Sequence, residues 1–190
     1  MFYEGVNDVI NKCRTELTPE SHGLEQKFER VLTRSTIADS FTYYFTPIMT
    51  VVENIKREAT RAVEGEEHDC HRNPANAEAI AELLLRDFEL AKRLVEWHGG
   101  KFVGILQPVA YLSRTRLEHT WMWQTWGYQY RAVYPLIQQK LTAAGGYYDF
   151  TAILDIDEYL YLDFCHLAPK GNRLVAQKIA EVAAPLGIAR

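Results

Sequence analysis

Residues 101–108 read Lys-Phe-Val-Gly-Ile-Leu-Gln-Pro, an apolar run that is continuous rather than alternating. Gly99-Gly100 precedes it and Pro108 ends it, so it is too short for a helix of its own. A strand without polar alternation is buried on both faces, which is the condition of a parallel strand covered by helices. The run therefore sets the fold class: α/β, with helices packed on a parallel sheet.

The flanking sequence fits that frame. Asn73-Pro74 has the form of a helix N-cap followed by proline at the first helical position. From there to about Trp97, Ile80, Leu83, Leu84, Phe88, Ala91 and Leu94/Val95 recur at helical spacing. A second helix is expected from about Tyr128 to Ala144, closed by Gly145-Gly146, then a strand region over 147–154. A short helix is expected around 157–160, and a last one over about 170–184. Met1-Phe2-Tyr3-Glu4 reads as the tail of a buried strand. Residues 24–34 and about 37–63 also look helical. Together with 74–98 they form a helical stretch (24–98) longer than the dozen or so residues a crossover needs. Phe41, Tyr43, Tyr44 and Phe45 would give that stretch an apolar face, suited equally to a cap over a pocket or to scaffold.

Composition narrows the function classes. The 190 residues suit one domain with its own core. A net charge of −4, with acids and bases interleaved, gives no basic footprint, so no nucleic-acid partner is expected. No apolar run reaches membrane-span length. No leader-like stretch follows Met1, and the three cysteines (Cys13, Cys70, Cys165) have no framework spacing. The expectation is reduced thiols in a cytoplasmic protein, unless a leader lies upstream. No cofactor or resident metal is expected. His68-Asp69-Cys70-His71 crowds metal donors into four residues; metal sites usually add a fourth ligand and wider spacing, so a polar surface loop is the expected reading.

Two short motifs carry chemistry. Asp163-Phe-Cys-His166 stands just before the last helix, followed by Leu-Ala-Pro-Lys-Gly-Asn. A carboxylate three residues from a histidine can fix the ring's tautomer and orientation, which a general base requires. Taken alone, the same four residues also fit an ordinary helix N-terminus. Gly5-Val-Asn7-Asp8 follows a strand end. There, glycine permits a tight turn and asparagine can present its amide to a developing oxyanion. An Asn-Asp turn capping the next helix reads equally from these residues.

The two motifs together, with the Gln107-Pro108 strand end, resemble the SGNH (GDSL-type) ester hydrolases over most of the chain. The resemblance implies a flavodoxin-like three-layer fold with strand order 2-1-3-4-5. It implies His166 as base, Asp163 as its orienting acid and Asn7 as oxyanion donor, with Gly5 in support. The substrate would be an acyl ester of a small molecule, carbohydrate or lipid. The family's first block, Gly-Asp-Ser, is absent. Ser21, Ser35, Ser40 and Ser113 do not sit on a strand-to-helix elbow. Cys165, between acid and base, is expected to pack rather than react. The chain thus matches the family without its first two strands. Upstream sequence is expected to supply Gly-Asp-Ser roughly 60–100 residues earlier, one or two βα units away. Residues 1–5 would form an uncovered strand edge open to a second copy or another partner. A scaffold that lost its chemistry and binds a partner is the alternative function. The aromatic stretch Trp121, Trp123, Trp126, Tyr128, Tyr130 and Tyr134 suits core or cleft wall.

Overall fold

The computed structural model describes residues 1–13, 69–120, 122 and 124–187. The expected helices at 24–34 and 37–63, with Phe41, Tyr43, Tyr44 and Phe45, lie outside the described residues, as do His68, Trp121 and Trp123.

The described chain runs β1 (Phe2–Glu4), α1 (Val6–Lys12), α2 (Pro74–Trp97), β2 (Gly104–Leu106), α3 (Gln124–Ala144), β3 (Tyr147–Asp149) and α4 (Pro169–Ala183). The strands form one parallel sheet in the order β1-β2-β3, with Phe2 beside Gly104 and Gly104 beside Tyr147. The protein is therefore α/β, as the apolar run at 101–108 predicts. All three residues of β2 are buried, because helices cover both faces.

Alternation along β2 divides the core. Leu106 joins α1, α2 and α3 in a cluster with Val6, Ile80, Leu84, Phe88, Tyr130, Tyr134 and Ile137. Val103 and Ile105 point the other way, to Phe150, Leu154, Leu160, Tyr161 and Val175 of α4. The sheet is the middle of three layers.

The helix boundaries follow local chemistry. Asn73 caps α2 by accepting from the Asn76 N–H at 3.2 Å, and Pro74 opens the first turn. Ile80, Leu83, Leu84, Phe88 and Ala91 are buried as their spacing predicts, whereas Leu94 is 48% exposed. At 24 residues α2 spans about 36 Å. Three-residue strands span only about 10 Å. The end of the helix therefore overhangs the sheet.

Two expected elements are corrected. The strand expected over 147–154 stops at Asp149, whose carboxylate accepts the Thr151 N–H at 2.9 Å and turns the chain. The helix expected near 157–160 is instead a series of bends. The Glu158 carbonyl there accepts the Arg116 N–H, and Asp157 holds the Arg116 guanidinium through two bonds of 2.8 and 2.9 Å. Long-range partners take the backbone groups that a helix would use.

The expectation of reduced thiols is also corrected. Cys13 and Cys70 form a disulfide, both essentially buried, with Cα atoms 5.3 Å apart. The last residue of the α1 turn is thereby tied to the approach of α2, where the Asp69 N–H also donates to the Cys13 carbonyl. Disulfides persist in oxidising compartments, so the cytoplasmic expectation loses the ground that reduced thiols gave it. Among the described residues, no helix is long and apolar enough to cross a membrane.

Gly171 sits where α4 touches the loop before it. A Cβ there would lie 2.5 Å from the Leu160 carbonyl oxygen, which is backbone and cannot rotate away. Gly171→Ala is expected to destabilise by about 2 kcal/mol, in the range of forced overpacking. A chemical-denaturation midpoint unchanged from the parent would refute this contact.

Candidate active site

Both motifs lie at the C-terminal end of the parallel sheet, where open α/β folds bind ligands. Gly5 follows β1 directly and takes φ +126°, a conformation that L side chains rarely adopt. A Cβ there would meet Leu106 Cδ1 at 2.7 Å and the Tyr134 hydroxyl at 3.1 Å. The turn thus requires glycine twice over, for its backbone and for its space. It places Asn7, exposed, in the first turn of α1.

The Asp163–His166 turn is anchored beyond the end of β2. The Ala110 N–H donates to the Phe164 carbonyl at 2.8 Å, and the Leu162 N–H donates to the His166 carbonyl at 2.7 Å. The Phe164 ring packs against Tyr111, Trp126 and Tyr130. The described part of the aromatic stretch is thus mainly core: Tyr130 and Tyr134 are buried, while Tyr128 is exposed.

Within the turn, the two predicted residues meet. Asp163 Oδ1 accepts the N–H groups of Cys165 (2.9 Å) and His166 (2.8 Å). Its Oδ2 lies 2.7 Å from His166 Nδ1. One carboxylate therefore fixes both the backbone turn and the ring, and Nε2 points away from it. The side chains of His166 and Asp163 are 73% and 43% exposed. Burial pushes the Asp163 carboxyl up, but the two backbone N–H donors and the His166 ring outweigh it and hold the group below its ordinary range.

A sign follows from that shift. A depressed folded pKa contributes stability above the ordinary Asp value of about 3.9, and the contribution is lost as pH falls through the folded value. Asp163→Asn should therefore lower the urea midpoint at neutral pH, and the gap to the parent should close under acid conditions. A gap that widens on acidification would contradict this assignment.

Cys165 is not set up as a nucleophile. Burial, then the Asp163 charge, pushes its thiol up to about 12, so it stays protonated at neutral pH. Its sulfur lies 3.6 Å from Nδ1, the ring nitrogen already facing Asp163, and not beside Nε2.

Asn7 occupies a different wall. It lines a groove of about 390 Å³ with Phe2, Glu4, Lys12, Leu84 and Phe88 among its other walls, and His166 is not part of that lining. Lys12 is 4% exposed and pairs with Asp8 at 2.7 Å. Burial and the neighbouring Asp8 raise the Glu4 carboxyl. The link between the two motifs is Tyr130: its hydroxyl donates to the Val6 carbonyl beside Asn7, and its ring packs on Phe164 beside His166. The structure joins Asp163 to His166 directly, and joins Asn7 to them only through the core.

The remaining candidates have other partners. Ser113 Oγ donates to the Leu154 carbonyl and to Asp155, both at 3.2 Å, and Ser21, Ser35 and Ser40 lie outside the described residues. In the 68–71 cluster, Cys70 is in the disulfide. Asp69 accepts from Asn73 and Asn76, and His71 Nδ1 lies 2.8 Å from the Gln129 amide. The cluster's described members, Asp69, Cys70 and His71, thus form a network at the entry of α2, with Cys70 buried rather than on the surface.

No protein-family model matches this sequence, and comparison with curated proteins and with solved structures gives no match either.

Proposed function

We propose that this chain belongs to a serine ester hydrolase of SGNH type, acting on an acyl ester, with His166 as general base, Asp163 as its orienting residue and Asn7 as the oxyanion donor. Gly5 serves by making the turn that presents Asn7. The observation that carries the reading is the doubly held Asp163 carboxylate, which fixes Nδ1 and leaves Nε2 of an exposed histidine to receive a proton. Such a carboxylate sets the tautomer and stabilises the imidazolium that forms on proton transfer. Support comes also from the position of both motifs at the C-terminal end of one parallel sheet.

The reading requires a hydroxyl nucleophile near Nε2. We place it on a Gly-Asp-Ser strand outside residues 1–190, paired with the edge of β1 that carries no other strand among the described residues. A fluorophosphonate probe tests this. Residues 1–190 alone should not be labelled, an upstream-extended chain should be, and His166→Ala should abolish the labelling. Failure of the extended chain to react sinks the hydrolase reading.

A non-catalytic interaction module is the second reading, favoured by the β1 flank. Phe2, Leu90 and Leu94 are 40, 56 and 48% exposed along β1, an edge strand among the described residues, and the helix beside it. Unpaired strand edges with apolar neighbours recruit another chain. A dimer through residues 1–5, measured by size in solution, is its expected result, and a clean monomer counts against it. Labelling of residues 1–190 alone, lost on His166→Ala, would overturn both readings.

A further inference from the structure

The turn that orients His166 also collects a donor set of another kind. Asp163, Cys165 and His166 each offer one ligand atom, and the three atoms lie within 4.8 Å of one another. It is the one such group of three or more found among the described residues. Zinc binds nitrogen at about 2.0 Å and sulfur at about 2.3 Å, so tetrahedral geometry sets those donors about 3.5 Å apart. Cys165 Sγ and His166 Nδ1 are already 3.6 Å apart. Asp163 Oδ2 and Nδ1, at 2.7 Å, need to spread by about half an ångström as a metal replaces their hydrogen bond. Oδ1 stays on the Cys165 and His166 N–H groups, which fixes the carboxylate as outer-shell donors do.

We infer that Asp163, Cys165 and His166 form a three-ligand site for a thiophilic divalent cation such as Zn²⁺, and that occupancy switches off the base. Little backbone has to be ordered for binding, because the three ligands fall within four residues whose turn is already hydrogen-bonded to Ala110. The exposed side of His166 leaves the fourth position to water. On binding, the Cys165 sulfur gives an electron pair to the metal and its proton leaves to solvent, with no change of oxidation state. The neutral imidazole gives its Nδ1 lone pair, so its single proton resides on Nε2. Nε2 is then a donor and can no longer accept the nucleophile's proton. The inhibitory half of the inference rests on the proposed role of His166, whereas the site itself does not.

The chain has three cysteines, and Cys13 and Cys70 are bonded, so Cys165 is its only free thiol. A thiolate-to-cobalt charge-transfer band on adding Co²⁺ to the oxidised full chain therefore reports Cys165 alone. One equivalent should develop the band, and Zn²⁺ should displace it. Cys165→Ser or His166→Ala should each remove it, with circular dichroism unchanged. No band in the parent, or a band that survives His166→Ala, overturns the site. Nitrogen NMR of His166 reads the switch: an Nδ1–H tautomer without metal and an Nε2–H tautomer with Zn²⁺. An unchanged tautomer overturns the inhibition while leaving the cobalt result to stand. Failed fluorophosphonate labelling would remove the hydrolase reading without altering the band.

Discussion

Reduction of the Cys13–Cys70 bond lowers the stability of this protein by about 4 kcal/mol, the chain-entropy value for a loop of this size. The two cysteines are 57 residues apart in sequence, and closing so long a segment removes much of the freedom of the unfolded chain. Both sulfurs are buried, in the cluster shared by α1, α2 and α3, so the bond also ties α1 to the start of α2 within one layer of the core. Denaturation of the parent with and without a thiol reductant measures the effect. A Cys13→Ala/Cys70→Ala variant should match the reduced parent to within the cost of two small cavities, and both should unfold at lower denaturant than the oxidised form. Coincident curves for oxidised and reduced protein would refute a formed bond.

Gly5→Ala is the second large effect, expected at about 3 kcal/mol or more. Two costs combine. The φ of +126° lies where an L residue is strained by roughly 1–3 kcal/mol. The added methyl would also overlap Leu106 Cδ1 and crowd the Tyr134 hydroxyl, which donates to the Gln107 carbonyl. The costs separate in a double-mutant cycle with Leu106→Val, which removes the clashing methyl. The second substitution should cost less in the Gly5→Ala background than in the parent. Strict additivity would mean that the packing overlap contributes nothing. A Gly5→Ala variant as stable as the parent would remove the argument that this turn must be glycine. It would also remove the argument that the turn dictates the position of Asn7.

The candidate site was partly legible in the residues. Asp163 and His166 belong to one turn, so their meeting needs only local geometry, and the sequence spacing anticipates it. Asn7 is in a different position. Its place after β1 was readable, but its actual surroundings are α2 residues such as Leu84 and Phe88, some 80 positions away in the chain. The disulfide was hidden by arithmetic: an odd cysteine count with no framework spacing concealed one buried pair and one half-buried thiol. The helix expected at 157–160 failed because Arg116 and Thr115, from a distant loop, take its backbone and side-chain groups.

What the sequence by itself determined is the set of features encoded by neighbours. These include the buried strand at 104–106, the Asn73-Pro74 helix start, the glycine turn at Gly5 and the Asp163–His166 pairing. Their causes (apolar continuity, capping, φ preference and a three-residue span) act within a few residues. Only the tertiary structure decided that the disulfide joins Cys13 to Cys70, how short the strands are, and that Asn7 and His166 share the end of one sheet without lining one groove. Those outcomes depend on contacts between residues far apart in sequence, whose free energy appears only when the layers close on one another.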